Sequence, residues 1–94
     1  MRFLVAGHLC LDVIPSLADE PGHDPGALYL IGSMQVRLGG AVHTTGAALA
    51  TLGAEVLLAA AEGTDPLAVV QRDLLSRRGL DISRMVTVDS STSY

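Results

Sequence analysis

Apolar residues occur along the chain in short runs divided by glycine and proline. Residues 3–6 (FLVA) form a continuous apolar run, the pattern of a strand buried on both faces. From His8 the pattern alternates. Leu9, Leu11 and Val13 share one side and His8, Cys10 and Asp12 the other, as a pleated strand requires. Pro15 closes this strand. Residues 16–26 contain Pro21-Gly22 and Pro25-Gly26 and read as a loop. Two further apolar runs, 27–31 and 34–38, are split by Gly32-Ser33. They predict a hairpin with a two-residue turn, forming a small sheet apart from the main strand.

Residues 41–52 (AVHTTGAALATL) are rich in helix formers and stop at Gly53, the expected C-terminal cap. Residues 55–60 read as a second buried strand, with a helical reading in competition. In "GTDPLAVVQRDLLSRRG", Asp65 is placed as an N-cap, Pro66 as the first helical residue and Gly79 as the stop. Leu67, Val70, Leu74 and Leu75 predict one apolar stripe, with Arg77 and Arg78 near the negative helix end. Residues 84–88 predict a last strand. The order gives a β-α-β-α-β frame, hence an α/β fold with a parallel sheet. In such sheets ligands usually bind where strand ends meet helix N-termini.

The 94 residues make one small domain or a piece of a larger one. A chain this size buries only roughly 60–65% of its unfolded surface. Yet 49% of the residues are hydrophobic and the mean hydropathy is +0.42. That excess fits a surface meant to be covered by further chain. The net charge is -4 and every cation is an arginine, which argues against nucleic acid and anionic membrane as partners, since both need a basic footprint. Cys10 is the single cysteine, so no internal disulfide forms and a reducing cytoplasm is the expected compartment. Asp12 interrupts the apolar N-terminal run, no signal-cleavage pattern follows it, and no run reaches the ~18 apolar residues of a membrane span.

The stretch "RLGGAVHTTGAALATLG" poses the main chemical question. A phosphate loop of the G-x-x-x-x-G-K-[ST] type needs four residues between its glycines and a lysine. Here five residues separate Gly40 from Gly46 and no lysine follows, and the dinucleotide pattern G-x-G-x-x-G is also absent. The pair Gly39-Gly40 is then either a tight turn or room for a ligand against the backbone. His8, Cys10 and Asp12 are metal-binding types on one strand face, but one strand supplies too few converging ligands, so no metal site is expected. Asp12 stands apart. A carboxylate at the end of a buried strand needs donors, either backbone N–H groups or ligand hydroxyls. His43 reads as a solvated or satisfied histidine, Asp65 as a helix cap, and His23 and Asp24 as loop residues.

The blocks "GHLCLDVIP", "PGALYLIG", "LGGAVHTTGAALATLGAEV", "EGTDPLAVVQRDLLSRRGLDIS" and a final "TS" follow one another in an order that resembles the N-terminal part of ribokinase-like (PfkB) carbohydrate kinases. The paired glycines leading into "GAALATLGAEV" are the most specific of them. The resemblance implies a Rossmann-like three-layer α/β fold with a small β-lid, residues 1–94 being the N-terminal part and about 16–38 the lid hairpin. It also implies ATP-dependent phosphoryl transfer to a sugar hydroxyl, with ATP and Mg²⁺ as cofactors of the intact enzyme.

By the same resemblance Asp12 hydrogen-bonds sugar hydroxyls, Gly39 and Gly40 let the backbone approach the sugar, and Thr44 occupies the position of a sugar-binding asparagine. No catalytic residue falls within the chain, because the aspartate base, the anion hole and the adenine site belong to the C-terminal part. The isolated chain is therefore expected to be inactive. Its expected partners are a sugar or polyol and a second copy through the lid. The alternative readings are a non-catalytic sugar-binding or subunit-interaction remnant and a remnant without function. Two departures from the pattern stand out. Threonine offers one hydroxyl where asparagine has a carbonyl and an amide, and Ala68 replaces the last glycine of a G-x-D-x-x-G block.

Overall fold

The computed structural model describes all 94 residues, Met1–Tyr94. Strand β1 (Arg2–Ala6) runs parallel to β4 (Glu55–Ala59), pairing Phe3 with Val56 and Val5 with Leu58. Beyond Ala60 the chain continues as β5 (Ala61–Glu62), parallel to β6 (Val86–Thr87). A parallel bridge between Leu57 and Asp81 places the final passage beside β4. The predicted parallel frame is present, and residues 55–59 are strand, not helix. The last strand shortens from the predicted 84–88 to two residues.

Helices α1 (Gly40–Thr51) and α2 (Pro66–Arg77) close the two crossovers. Their stops lie where the sequence placed them: Gly53 and Gly79 adopt φ of +86° and +68°, a region glycine enters without a Cβ penalty. The core forms on one face of β4, where Val56, Leu58 and Ala60 meet Val42 of α1, Leu75 of α2, Leu9 and Leu80. Gly46 of α1 lies so close to the sheet that a Cβ there would stand 2.7 Å from Leu58 Cδ2.

The other face of β1 is open, and Leu4 is 63% exposed. The expectation of a strand buried on both faces therefore fails. Of the three layers that the resemblance implies, this chain builds a sheet and the helices on one side of it. A continuous apolar run marks two faces that want cover, and only one has it within these residues.

The helix α2 stripe is also displaced. Ala68, Gln71 and Leu75 are buried, while Leu67 and Leu74 are half-buried and Val70 is exposed. Sequence pattern favoured the larger side chains. The structure instead turns inward the face that carries small Ala68 and polar Gln71, because a buried carboxylate waits there. Glu62, at the end of β5, pairs with Arg72 and accepts a hydrogen bond from Gln71 Nε2 at 3.4 Å. A buried charge persists only with such partners.

The small sheet departs most from expectation. Residues 27–31 form no strand. Strand β3 (Met34–Gly39) pairs antiparallel with β2 (Cys10–Pro15) instead, with Asp12 opposite Arg37 and Cys10 opposite Gly39. The apparent single strand from residue 3 to 14 breaks at Gly7, whose φ of +144° turns the chain out of the main sheet. Residues 16–33 connect β2 to β3 and are closed by Ser16 N–H to Ser33 O at 3.2 Å and Gly32 N–H to Ser16 O at 2.8 Å. Leu28 and Leu30 are 98% and 96% exposed, so the run 27–31 has no face to bury. A hairpin built from 27–31 would leave β2 unpaired, and pairing β2 satisfies six residues of ladder instead. No helix is long and apolar enough to cross a membrane.

Candidate functional site

The seam where β3 runs into α1 brings Asp12, Gly39 and Gly40 together. Gly39 ends β3 and is also the N-cap of α1, in extended conformation (φ -135°, ψ -174°) with no side chain to cap the helix. The Asp12 carboxylate lies over it. A Cβ on Gly39 would stand 2.6 Å from both carboxylate oxygens, closer than real Cβ contacts come. Gly39 thus makes the space that Asp12 fills. Asp12 is exposed, in the small sheet and not at the end of a buried strand, so the desolvation argument for it does not apply. It has no ion pair, and its one side-chain partner is the Cys10 thiol, which donates to Oδ1 at 3.6 Å. Beside that carboxylate, and with burial, the Cys10 pKa is raised above its ordinary value, desolvation being the larger cause.

Gly40 has a different role. Its φ is +85°, and a Cβ there would lie 2.6 Å from the His8 carbonyl oxygen and 3.0 Å from Leu9 Cα. The same carbonyl accepts the Val42 N–H at 3.0 Å. The turn after β1 is therefore docked onto the first turn of α1 by main chain alone. Thr44 is exposed and its hydroxyl makes no hydrogen bond, so the structure does not tie it to Asp12. His8, Cys10 and Asp12 form no metal cluster with each other, nor does any group of three such residues in the chain.

His43 is neither solvated nor satisfied. Its Nε2 is buried without a partner. Its pKa is pushed below the ordinary histidine value, first by desolvation and then by the Arg78 charge, with Asp12 acting weakly the other way. Sequence reading also passed over Thr92. Its hydroxyl donates to Asp65 Oδ1 at 2.7 Å and accepts the Gly63 N–H at 3.1 Å, while its own N–H donates to Asp65 Oδ2 at 3.0 Å. Asp65 is at once the N-cap of α2, accepting from Ala68 N–H at 3.2 Å. These bonds, the Thr92 hydroxyl first, lower its pKa. The Ser93 carbonyl then accepts Leu11 N–H at 3.0 Å, tying the segment after β6 to β2. Only the "TS" block hinted at this clasp.

At neither helix start do the residues present fit a nucleotide phosphate. At the start of α1 the Val42 N–H is taken by His8, and at the start of α2 the Asp65 carboxylate already sits where a phosphate would.

No family model and no curated protein sequence matches the chain. Solved structures do. A carbohydrate kinase from Agrobacterium tumefaciens is 26% identical with a TM-score of 0.79, over 97% of this chain and 29% of that one. A Methanocaldococcus jannaschii nucleoside kinase of the ribokinase family is 24% identical with a TM-score of 0.75, over 97% and 30%. A Xylella fastidiosa fructokinase with bound ATP is 21% identical with a TM-score of 0.70, over 97% and 27%. The chain spans about three tenths of the length of the solved kinases it matches. The likeness read from the paired-glycine block is thus borne out in three dimensions: this chain has the ribokinase-like α/β fold of carbohydrate kinases, over a segment of that fold.

Proposed function

We propose that these residues are the N-terminal substrate-binding segment of an ATP-dependent carbohydrate kinase, which transfers phosphate to a sugar hydroxyl. The observation that carries this reading is the Asp12 carboxylate, seated over Gly39, exposed and free of any ion pair. An ionised carboxylate only accepts hydrogen bonds, and vicinal hydroxyls are the matching donors. The likeness to a carbohydrate kinase and to a fructokinase with bound ATP supports the class of substrate and the phosphoryl donor. On this reading Asp12, Gly39 and Gly40 form the sugar side of the site in the intact enzyme, and Thr44 offers its hydroxyl from the first turns of α1. The ATP site and the base come from chain outside these residues, so the 94-residue chain alone turns over no ATP.

Calorimetric titration of pentoses, hexoses and polyols into a protein carrying this segment tests the reading. Asp12→Ala should weaken binding of the preferred sugar by about 1.5–3 kcal/mol, the value of hydrogen bonds to a charged group. Unchanged affinity would remove Asp12 from the site. Thr44→Asn should broaden the range of sugars bound.

A second reading, a subunit-interaction remnant, is favoured by the exposed Leu28, Leu30, Ile31, Met34 and Val36 at and beside the small sheet. Self-association through that sheet would appear in sedimentation equilibrium and be abolished by Met34→Glu. A monomer at all concentrations would refute it.

A further inference from the structure

A groove of about 450 Å³ opens between β3 and the end of α2. Val36, Leu38 and Leu74 form its apolar walls, and Arg37, Arg77, Arg78 and His43 complete it. Three of the six cations of an acidic chain line this one cavity. Only one of them is neutralised: Arg77 Nε pairs with Asp73 at 3.0 Å. Arg37 spends a donor on the neutral Gln35 side chain at 2.7 Å, and Arg78 has no side-chain partner. Beside these charges lies the buried, unpartnered Nε2 of His43.

We propose that this groove is a binding site for a small organic oxyanion, a carboxylate or phosphate ester whose acidic group bridges Arg37 and Arg78. The geometry has the parts such a site needs. Guanidinium groups recognise carboxylate and phosphate through paired N–H donors, and apolar walls take the body of the ligand. The volume is in the range of small-molecule sites, which run from about 300 to 1,000 Å³. Arg37 belongs to the small sheet and Arg78 caps α2, so a bound anion would join the two elements.

The site also explains why His43 tolerates its position. Arg78 from the end of α2 and Asp12 from β2 act on it, Arg37 from β3 and Arg77 from α2 share the groove with it, and Asp73 is paired with Arg77. An anion on Arg78 cancels the charge that disfavours the imidazolium. The His43 pKa must therefore rise when the groove fills. This inference does not rest on the kinase reading, since it calls on no sugar, although Asp12 stands opposite Arg37 across the small sheet.

The test titrates inorganic phosphate and, in parallel, citrate into the 94-residue chain, at constant ionic strength set with chloride. The His43 ring resonances report the site by NMR. The expected result is a saturable shift with an upward move of the His43 titration midpoint, weakened about tenfold or more by Arg78→Gln or Arg37→Gln. Arg84→Gln, on the far face of the main sheet, should leave it within about twofold. Saturation by phosphate alone assigns a phosphate ester, and tighter saturation by citrate assigns a carboxylate. A linear, non-saturating response, or equal weakening by Arg84→Gln, overturns the proposal. Far-ultraviolet circular dichroism of each variant separates loss of the site from loss of the fold.

Discussion

Gly39→Ala should change the sign of its effect when Asp12 is removed. The backbone at Gly39 is extended, so alanine meets no conformational penalty there. Replacing glycine by alanine in such a conformation stabilises by about 0.5–1 kcal/mol through the unfolded chain. Opposing this is the clash: the new Cβ would stand 2.6 Å from both Asp12 carboxylate oxygens and 2.7 Å from Cγ. Asp12 is exposed and can swing aside, so the clash resolves by a rotamer change and loss of the Cys10 thiol bond, at about 1–2 kcal/mol. In the wild-type background the net is a destabilisation of about 0.5–1 kcal/mol. In the Asp12→Ala background every atom of that clash is gone, and Gly39→Ala should stabilise by a similar amount. Urea unfolding of the four chains closes the double-mutant cycle, with an expected coupling of about 1–2 kcal/mol. A Gly39→Ala effect of the same sign and size in both backgrounds would show that the carboxylate does not occupy the space glycine leaves.

At the next residue the outcome should differ in kind. Gly40→Ala puts a side chain at positive φ and against the His8 main chain, and should cost about 2–5 kcal/mol in a urea melt with no rescue by Asp12→Ala. Thr92→Val removes the hydroxyl shared by Asp65 and Gly63 and should cost about 1–3 kcal/mol, while Ser91→Ala, which touches neither, should be near neutral. The His43 pKa is lower in the folded chain than in the unfolded one, so the unfolded state binds the extra proton first as pH falls. Stability should therefore decline below the ordinary histidine pKa of about 6.5 and level off below the folded value. His43→Gln should flatten that part of the pH profile, and an unchanged slope would assign it to another group.

The elements with strong end signals were legible in the sequence. Asp65-Pro66 opened α2 and Gly79 closed it, and Gly53 closed α1, because caps are local chemistry and need no knowledge of the rest of the chain. Strand partners were not local. The alternation through Leu9, Leu11 and Val13 marked β2 as a strand but could not say that it leaves the main sheet at Gly7 to pair with residues 34–39. Proximity along the chain favoured 27–31 as the partner, and the 18-residue connection from Ser16 to Ser33 defeated that rule. The α2 stripe failed for a related reason. Size ranked Leu67 and Val70 above Ala68 and Gln71, yet the face turned inward was decided by Glu62, a charge nine residues before Gln71 whose burial no periodicity reveals. Asp12 lies against Gly39 across the small sheet, a proximity set by strand register, whereas the placing of Thr44 and the His43 groove depends on which way α1 is rotated.

Two chain oxygens, and not the glycines themselves, tell against a phosphate cradle at the glycine pair. A phosphate needs free N–H groups at the helix start and no carboxylate nearby. Gly40 permits the His8 carbonyl to approach and take the Val42 N–H, and Gly39 permits Asp12 to lie over the helix entrance. Each glycine thus admits an acceptor, one neutral and one charged, to the end of the helix that would attract an anion. A phosphate oxygen brought there would meet two oxygens already in place and would have to displace one of them. In the proposed site a sugar hydroxyl would meet the same Asp12 carboxylate as a donor. If the proposed sugar site is correct, the glycines serve it by what they let the chain itself place there, so a larger residue at position 39 should alter binding through Asp12 before it touches the sugar at all.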